Sequence, residues 1–213
     1  MVAASPRTPA QTLDWVIRES VWPALRAQGF TRTRRTFERA FSPGVTQRVA
    51  FQLLFKAGEV VLHFGVGFEV LREWFAAWRG VELDEVGAIQ IGGTAAHLAP
   101  PYRFGVVPVS SVEDMIVWAN EALKSLVLPE LEAISTLESA IKRWEGGAPY
   151  ANVYPGIYAP LARLALGDRA GAKATALRFA EHYERLRAQP DVVEEHRRLA
   201  QFVASAPAEP VGD

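Results

Sequence analysis

Four histidines, an acidic triplet and a row of arginines are the residues of this chain whose types can do chemistry. His63, His97, His182 and His196 stand apart, with no pair at the one-turn spacing of a helix-borne zinc site. His182 and His196 sit among charges on predicted helices and read as solvated. His63 lies on a predicted strand, opposite its apolar face, and reads as a structural histidine. Glu82, Asp84 and Glu85 bring carboxylates together in the way metal or acid–base work needs, but such a run more commonly faces water. Gly92-Gly93 lacks the glycine spacing and the following lysine of a phosphate loop, and Ser110-Ser111 lacks the glycine flanks of a nucleophile elbow. There is no cysteine, which excludes disulfides, thiolate catalysis and cysteine metal sites. The reading is no catalytic residue, no metal and no cofactor.

The arginines are a stronger signal. Arg26, Arg32, Arg34, Arg35, Arg39, Arg48 and Lys56 are opposed between residues 26 and 56 only by Glu38, in a chain of net charge −1. Such an asymmetry steers an acidic partner, or else it is neutralised by acids on the protein's own helices. Both readings stand at this point.

These arginines ride on residues 29–68, which read as an antiparallel meander. The first strand, about Thr36–Phe41, alternates Phe37 and Phe41 with Thr36, Glu38 and Ala40. In the second, Val45–Lys56, Val49, Phe51, Leu53 and Phe55 alternate with Arg48, Ala50, Gln52 and Lys56. The third, Glu59–Phe68, puts Val60, Leu62, Phe64, Val66 and Phe68 on one face and Val61, His63, Gly65 and Gly67 on the other. Ser42-Pro43-Gly44 and Ala57-Gly58 supply the turn residues.

Ahead of the meander, Thr8-Pro9-Ala10-Gln11 has the makings of a capping box. Leu13, Val16, Ile17, Val21 and Leu25 form one stripe, Pro23 should kink the helix or break its ladder, and Gly29 ends it. After the meander, Glu69–Arg79 switches to helical spacing, with Gly80 as its stop. Val86–Ile91 and Ala95–Leu98 are expected as fourth and fifth strands, Pro100-Pro101 as an interruption and Arg103–Val107 as edge pairing. From Ser110 the pattern is helical. A start at Ser111 is expected, a fresh turn at Pro129, a capping box at Ser135–Glu138 and an aromatic loop at 148–156. A helix pair follows over 157–187, then a last helix from Pro190 to about Ala204. The fold class is therefore α+β: an N-terminal helix, an antiparallel sheet of four to five strands in a meander, and a C-terminal helical section. The divisions read as 1–109, 110–204 and a disordered tail over 205–213.

With 213 residues, 49% of them hydrophobic and 22% charged, the chain can bury a core. No apolar run reaches the roughly 20 residues that span a bilayer, and Met1–Pro9 lacks the basic start and apolar core of a secretory signal. Arginine far outnumbers lysine, a coding bias of GC-rich bacterial genomes, and the expected location is the cytoplasm.

The stretch Leu25-Arg26-Ala27-Gln28-Gly29-Phe30, followed by Thr31–Arg35 and Thr36-Phe37-Glu38-Arg39, resembles the opening of the bacterial family known as domain of unknown function 4304. Phe51-Gln52 and Phe64-Gly65-Val66 match two later strand motifs of that family. The resemblance covers about residues 10–70 and brings no catalytic residue with it. Some relatives look like immunity proteins, which implies a toxin as partner. The leading expectation is a non-catalytic binding protein with an acidic protein partner, using Arg34, Arg35, Arg39, Arg48 and Gln52 on the mixed face of the sheet. The alternative is an enzyme or small-molecule binder with a cleft between sheet and helices, lined by His63, His97, Tyr102 and Arg103. No membrane partner is expected, and nucleic acid is disfavoured.

Overall fold

The structure, a computed structural model, describes residues 8–54, 58–98, 107–108, 111–148 and 154–210. Expectations placed on Phe55, Lys56, Ala57, Pro100, Pro101, Tyr102, Arg103, Ser110, Pro149 and Tyr150 lie outside those residues.

Helix α1 (Pro9–Val16) starts where the sequence places it. The Thr8 side chain accepts from the Gln11 backbone N–H, and the Gln11 side chain closes the box on Thr8. Pro23 does not end the helical path, though the α ladder ahead of it is interrupted. A π turn at Ile17–Val21 joins α1 to α2 (Trp22–Arg26), with the Trp22 N–H donating to the Ile17 carbonyl. That wider turn accommodates the proline ring, which in a tight helix meets the carbonyl four residues back. Gly29, at φ +84°, then stops the helix. Its N–H donates to Arg26 and that of Phe30 to Leu25, which satisfies two orphan carbonyls.

Strands β1 (Thr31–Thr33), β2 (Thr36–Ser42), β3 (Val45–Leu54) and β4 (Glu59–Phe68) come next. The meander is as expected, with a short extra strand ahead of it. Thr33 pairs with Thr36, so Arg34-Arg35 is a two-residue turn. Helix α3 (Glu69–Arg79) ends at Gly80 in the left-handed conformation. The strand expected at Val86–Ile91 is instead a loop, and β5 is Ile91–Thr94. Gln90 explains the difference. Its side chain takes the Phe68 N–H at 2.6 Å and donates to Gly87, so a side chain does what a strand's backbone would. Ala95–Leu98 is a single 3₁₀ turn and not a strand, with His97 Nδ1 accepting from the Thr94 N–H at its start. Of the edge pairing expected over Arg103–Val107, only Val107 lies among the described residues, in β6 (Val107–Pro108), which is antiparallel to Glu59 and Val60. The strand order is β1-β2-β3-β4-β5, with β6 also on β4.

Helix α4 (Val112–Ala122), capped by Ser111, runs through a second π turn, Leu123–Val127, into α5 (Leu128–Ala133). Pro129 thus continues a helix, in the same position after a π turn as Pro23. Helix α6 (Leu137–Glu145) is capped one residue later than expected, by Thr136 with Ser139. Helices α7 (Pro155–Ala165), α8 (Arg169–Arg185) and α9 (Pro190–Ser205) complete the chain. Beyond α9, Ala206 is buried and the Pro207 carbonyl accepts from Arg169 at 2.7 Å. Among the described residues no helix is long and apolar enough to cross a membrane.

The chain forms two compact units, each made of separate segments. Unit 1 holds Met1–Phe41, Thr46–Gly65 and Gly93–Ala133. Its core is a row of rings: Trp22 lies 6.1 Å from Phe37, Phe37 6.2 Å from Phe51, and Phe51 6.3 Å from Trp118. The row puts α2 and α4 over the face that β3 fills with Val49, Phe51 and Leu53. Unit 2 holds Ser42–Val45, Val66–Gly92 and Ile134–Asp213. There Trp74 meets Phe202 at 6.2 Å, and Phe75 stacks on Tyr158 at 5.7 Å. Ala172, Ala176 and Ala180 recur every fourth residue along α8, all buried, and their small size permits close helix contact.

Emptying the meander core should be costly. Phe64→Ala is expected to lose about 3–5 kcal/mol by urea denaturation, while Gln52→Ala, on the exposed face, should lose under about 1 kcal/mol. Gly67→Ala should also destabilise, because its Cβ would overlap the Ala88 carbonyl oxygen.

Candidate functional site

The arginine row of β2 and β3 is the candidate surface, and the backbone decides which of its members are free. In the β1–β2 turn the first residue, Arg34, takes φ +56°. That left-handed conformation costs an L-residue on the order of 1 kcal/mol, and glycine or asparagine is the usual occupant. Arg34 is exposed, and its carbonyl accepts from Arg32 Nε at 2.7 Å. It forms no ion pair among the described residues.

Its neighbours are committed. Arg35 clasps Asp14 of α1 with two bonds, Nε to Oδ1 at 2.6 Å and a terminal nitrogen to Oδ2 at 3.0 Å. These bonds and the charges of Arg35 and Arg32 outweigh burial and hold the Asp14 carboxyl below its ordinary range. Arg48 pairs with Glu38 across β2 and β3.

Arg39 is the most enclosed, with 12% of its side chain exposed. Its Nε donates to Gln47 Oε1 at 2.7 Å, and a terminal nitrogen donates to the Gln28 carbonyl at 3.0 Å. The other terminal nitrogen reaches Glu132 at 3.5 Å. The guanidinium also lies 4.8 Å from the centre of the Phe30 ring and 5.3 Å from that of Phe41. A shallow recess of about 430 Å³ opens beside it, lined by Gln28, Lys124, Leu128, Pro129 and Glu132. Sequence reasoning missed Gln47, which is fully buried and donates to the Leu131 carbonyl at 3.0 Å. The signal was present: Gln47 is two residues before Val49, on the apolar face of β3.

Gln52 and His63 are brought together, with Nε2 of the histidine 2.8 Å from the amide oxygen. Burial pushes the His63 imidazole below its ordinary pKa, so the ring is neutral near pH 7 and donates from Nε2. His97 caps its own turn. The other two members of the expected cleft, Tyr102 and Arg103, lie outside the described residues. His182 is exposed, as expected, but His196 is not solvated. It is buried, its Nδ1 is 2.7 Å from the Val192 carbonyl, and its ring is 4.9 Å from Tyr183. No group of three or more histidine or carboxylate side chains is placed to hold a metal among the described residues.

No family model, curated protein or solved structure matches the chain.

Two outcomes are expected from this geometry. Arg39→Glu should cost about 3–5 kcal/mol, since it breaks an enclosed charge network, whereas Arg34→Glu should shift stability by no more than about 0.5 kcal/mol; thermal melts of the pair compare them. For His63, the folded pKa lies below the unfolded one, so the unfolded chain binds the proton first as pH falls. Stability should therefore decline as pH drops below about 6.5, and His63→Gln should remove that part of the decline in melts taken from pH 7.5 to 5.

Proposed function

We propose that this chain is a non-catalytic binding protein of the bacterial cytoplasm whose partner is an acidic protein surface met by the β1–β2 turn. The observation that supports this reading is Arg34. A charged side chain stands where the backbone favours glycine. It is exposed and, among the described residues, unpaired, while Arg35, Arg39 and Arg48 are held by Asp14, Glu132 and Glu38. Residues kept in a costly backbone region are concentrated at functional positions. The paired arginines fix the strands that hold the turn, and Arg34 supplies the contact.

Charge at such a tip acts chiefly on the rate of encounter, and salt screens it over about 8–10 Å at physiological ionic strength. The resemblance of residues 10–70 to the domain of unknown function 4304 family, with its immunity-like members, agrees with a protein partner.

Arg34→Gly separates function from folding, because glycine suits the turn and removes the charge. On immobilised polyglutamate the parent chain should be retained at low salt, and Arg34→Gly should elute at lower salt with a melting temperature unchanged or raised. Identical elution of the two chains would remove the turn from the reading.

A further inference from the structure

Unit 2 carries a groove of about 460 Å³ where the end of α6, the start of α7 and the second half of α8 meet. That volume lies in the range of small-ligand pockets and admits a molecule of one or two rings. Its walls are aromatic. Phe179 and Tyr183 stand one turn apart on α8, and Trp144 is the last residue but one of α6. The rings are held from behind: Trp144 stacks on Tyr158 at 6.2 Å, and Tyr183 rests on His196 at 4.9 Å. The walls therefore stand in place without a ligand to order them, which lowers the entropy lost on binding.

Two polar features point to what the groove takes. The indole N–H of Trp144, a lining residue, is buried and has no hydrogen-bond partner among the described residues, so an arriving acceptor would satisfy it. The second feature is charge. Glu145 is the only carboxylate lining the groove among the described residues, and it is already engaged. It accepts from Arg163 at 3.0 and 3.1 Å, from Thr175 at 3.2 Å and from Arg178 at 2.9 Å. Burial pushes its carboxyl up, but the bonds and charges of Arg163 and Arg178 hold it below the ordinary range, so it stays an anion. Arg185, by contrast, lines the groove and forms no ion pair among the described residues.

We propose that this groove binds a small aromatic carboxylate, its ring against Trp144, Phe179 and Tyr183 and its carboxylate on Arg185. The proposal is independent of the β1–β2 turn, which belongs to the other unit.

Calorimetric titration of the full chain with indole-3-acetate, and with the neutral indole-3-acetamide, tests it. The acid should bind saturably and at least about tenfold more tightly than the amide, since a charge-assisted bond of this kind is worth about 1.4 kcal/mol or more. Arg185→Gln should abolish the preference for the acid and leave the amide unchanged. Trp144→Phe keeps a ring on Tyr158 but deletes the N–H, and should weaken the acid several-fold. Arg185 is exposed, so its variant decides the matter even if the change at Trp144 disturbs folding. No saturable binding of the acid at millimolar concentration, equal affinity for acid and amide, or an Arg185→Gln chain that still prefers the acid would overturn the proposal.

Discussion

The enclosed guanidinium of Arg39 is the constraint on which unit 1 depends. A charge with so little contact with water is tolerated only if its donors are met, and three segments meet them: the turn after α2 at Gln28, strand β3 at Gln47, and α5 at Glu132. Gln47 passes the demand onward, donating to the Leu131 carbonyl. One buried polar side chain on an otherwise apolar strand face thus has two obligations, and they tie sheet to helix. Hydrophobic burial by Phe37, Phe51 and Trp118 drives these elements together without direction. The Arg39–Gln47 pair is directional, and it fixes where along the sheet α5 must lie.

The same logic sorts the remaining charges. A row of cations in sequence suggests a binding face, and in space Arg35, Arg39 and Arg48 of that row serve as a framework. Arg35 fixes α1 to the β1–β2 turn, and Arg48 bridges β2 and β3. In unit 2 Arg163 joins Glu145 to Asp168, while the Asp168 side chain caps α8 through the Gly171 N–H. Arg34 at its turn and Arg185 at its groove are not drawn into that framework.

Local chemistry made much of this fold legible. The Thr8–Gln11 capping box, the Gly29 and Gly80 stops, the alternation of β3 and β4 and the helix pair around Gly167-Asp168 all derive from side chains within a few residues of one another. Elements too short for a pattern were not legible, as with the three residues of β1. Neither were places where a side chain replaces backbone, as Gln90 and His97 do. Pro23 reads as a kink or a break because the sequence shows the ring but not the π turn that makes room for it. The candidate site was the least legible, since Arg39 and Glu132 are 93 positions apart and no spacing rule joins them. His196 was misread for a related reason: its charged neighbours on α9 suggest solvent, yet the opposite side of the helix carries it against Tyr183 and Phe179.

A double-mutant cycle between Arg39 and Gln47 tests the framework role of the arginines most directly. Arg39→Met, Gln47→Leu and the double variant would each be unfolded in urea beside the parent chain. The account predicts a coupling energy of about 1–3 kcal/mol, the range for residues that share one hydrogen-bond network. A coupling within about 0.3 kcal/mol of zero, the margin expected of independent sites, would contradict it.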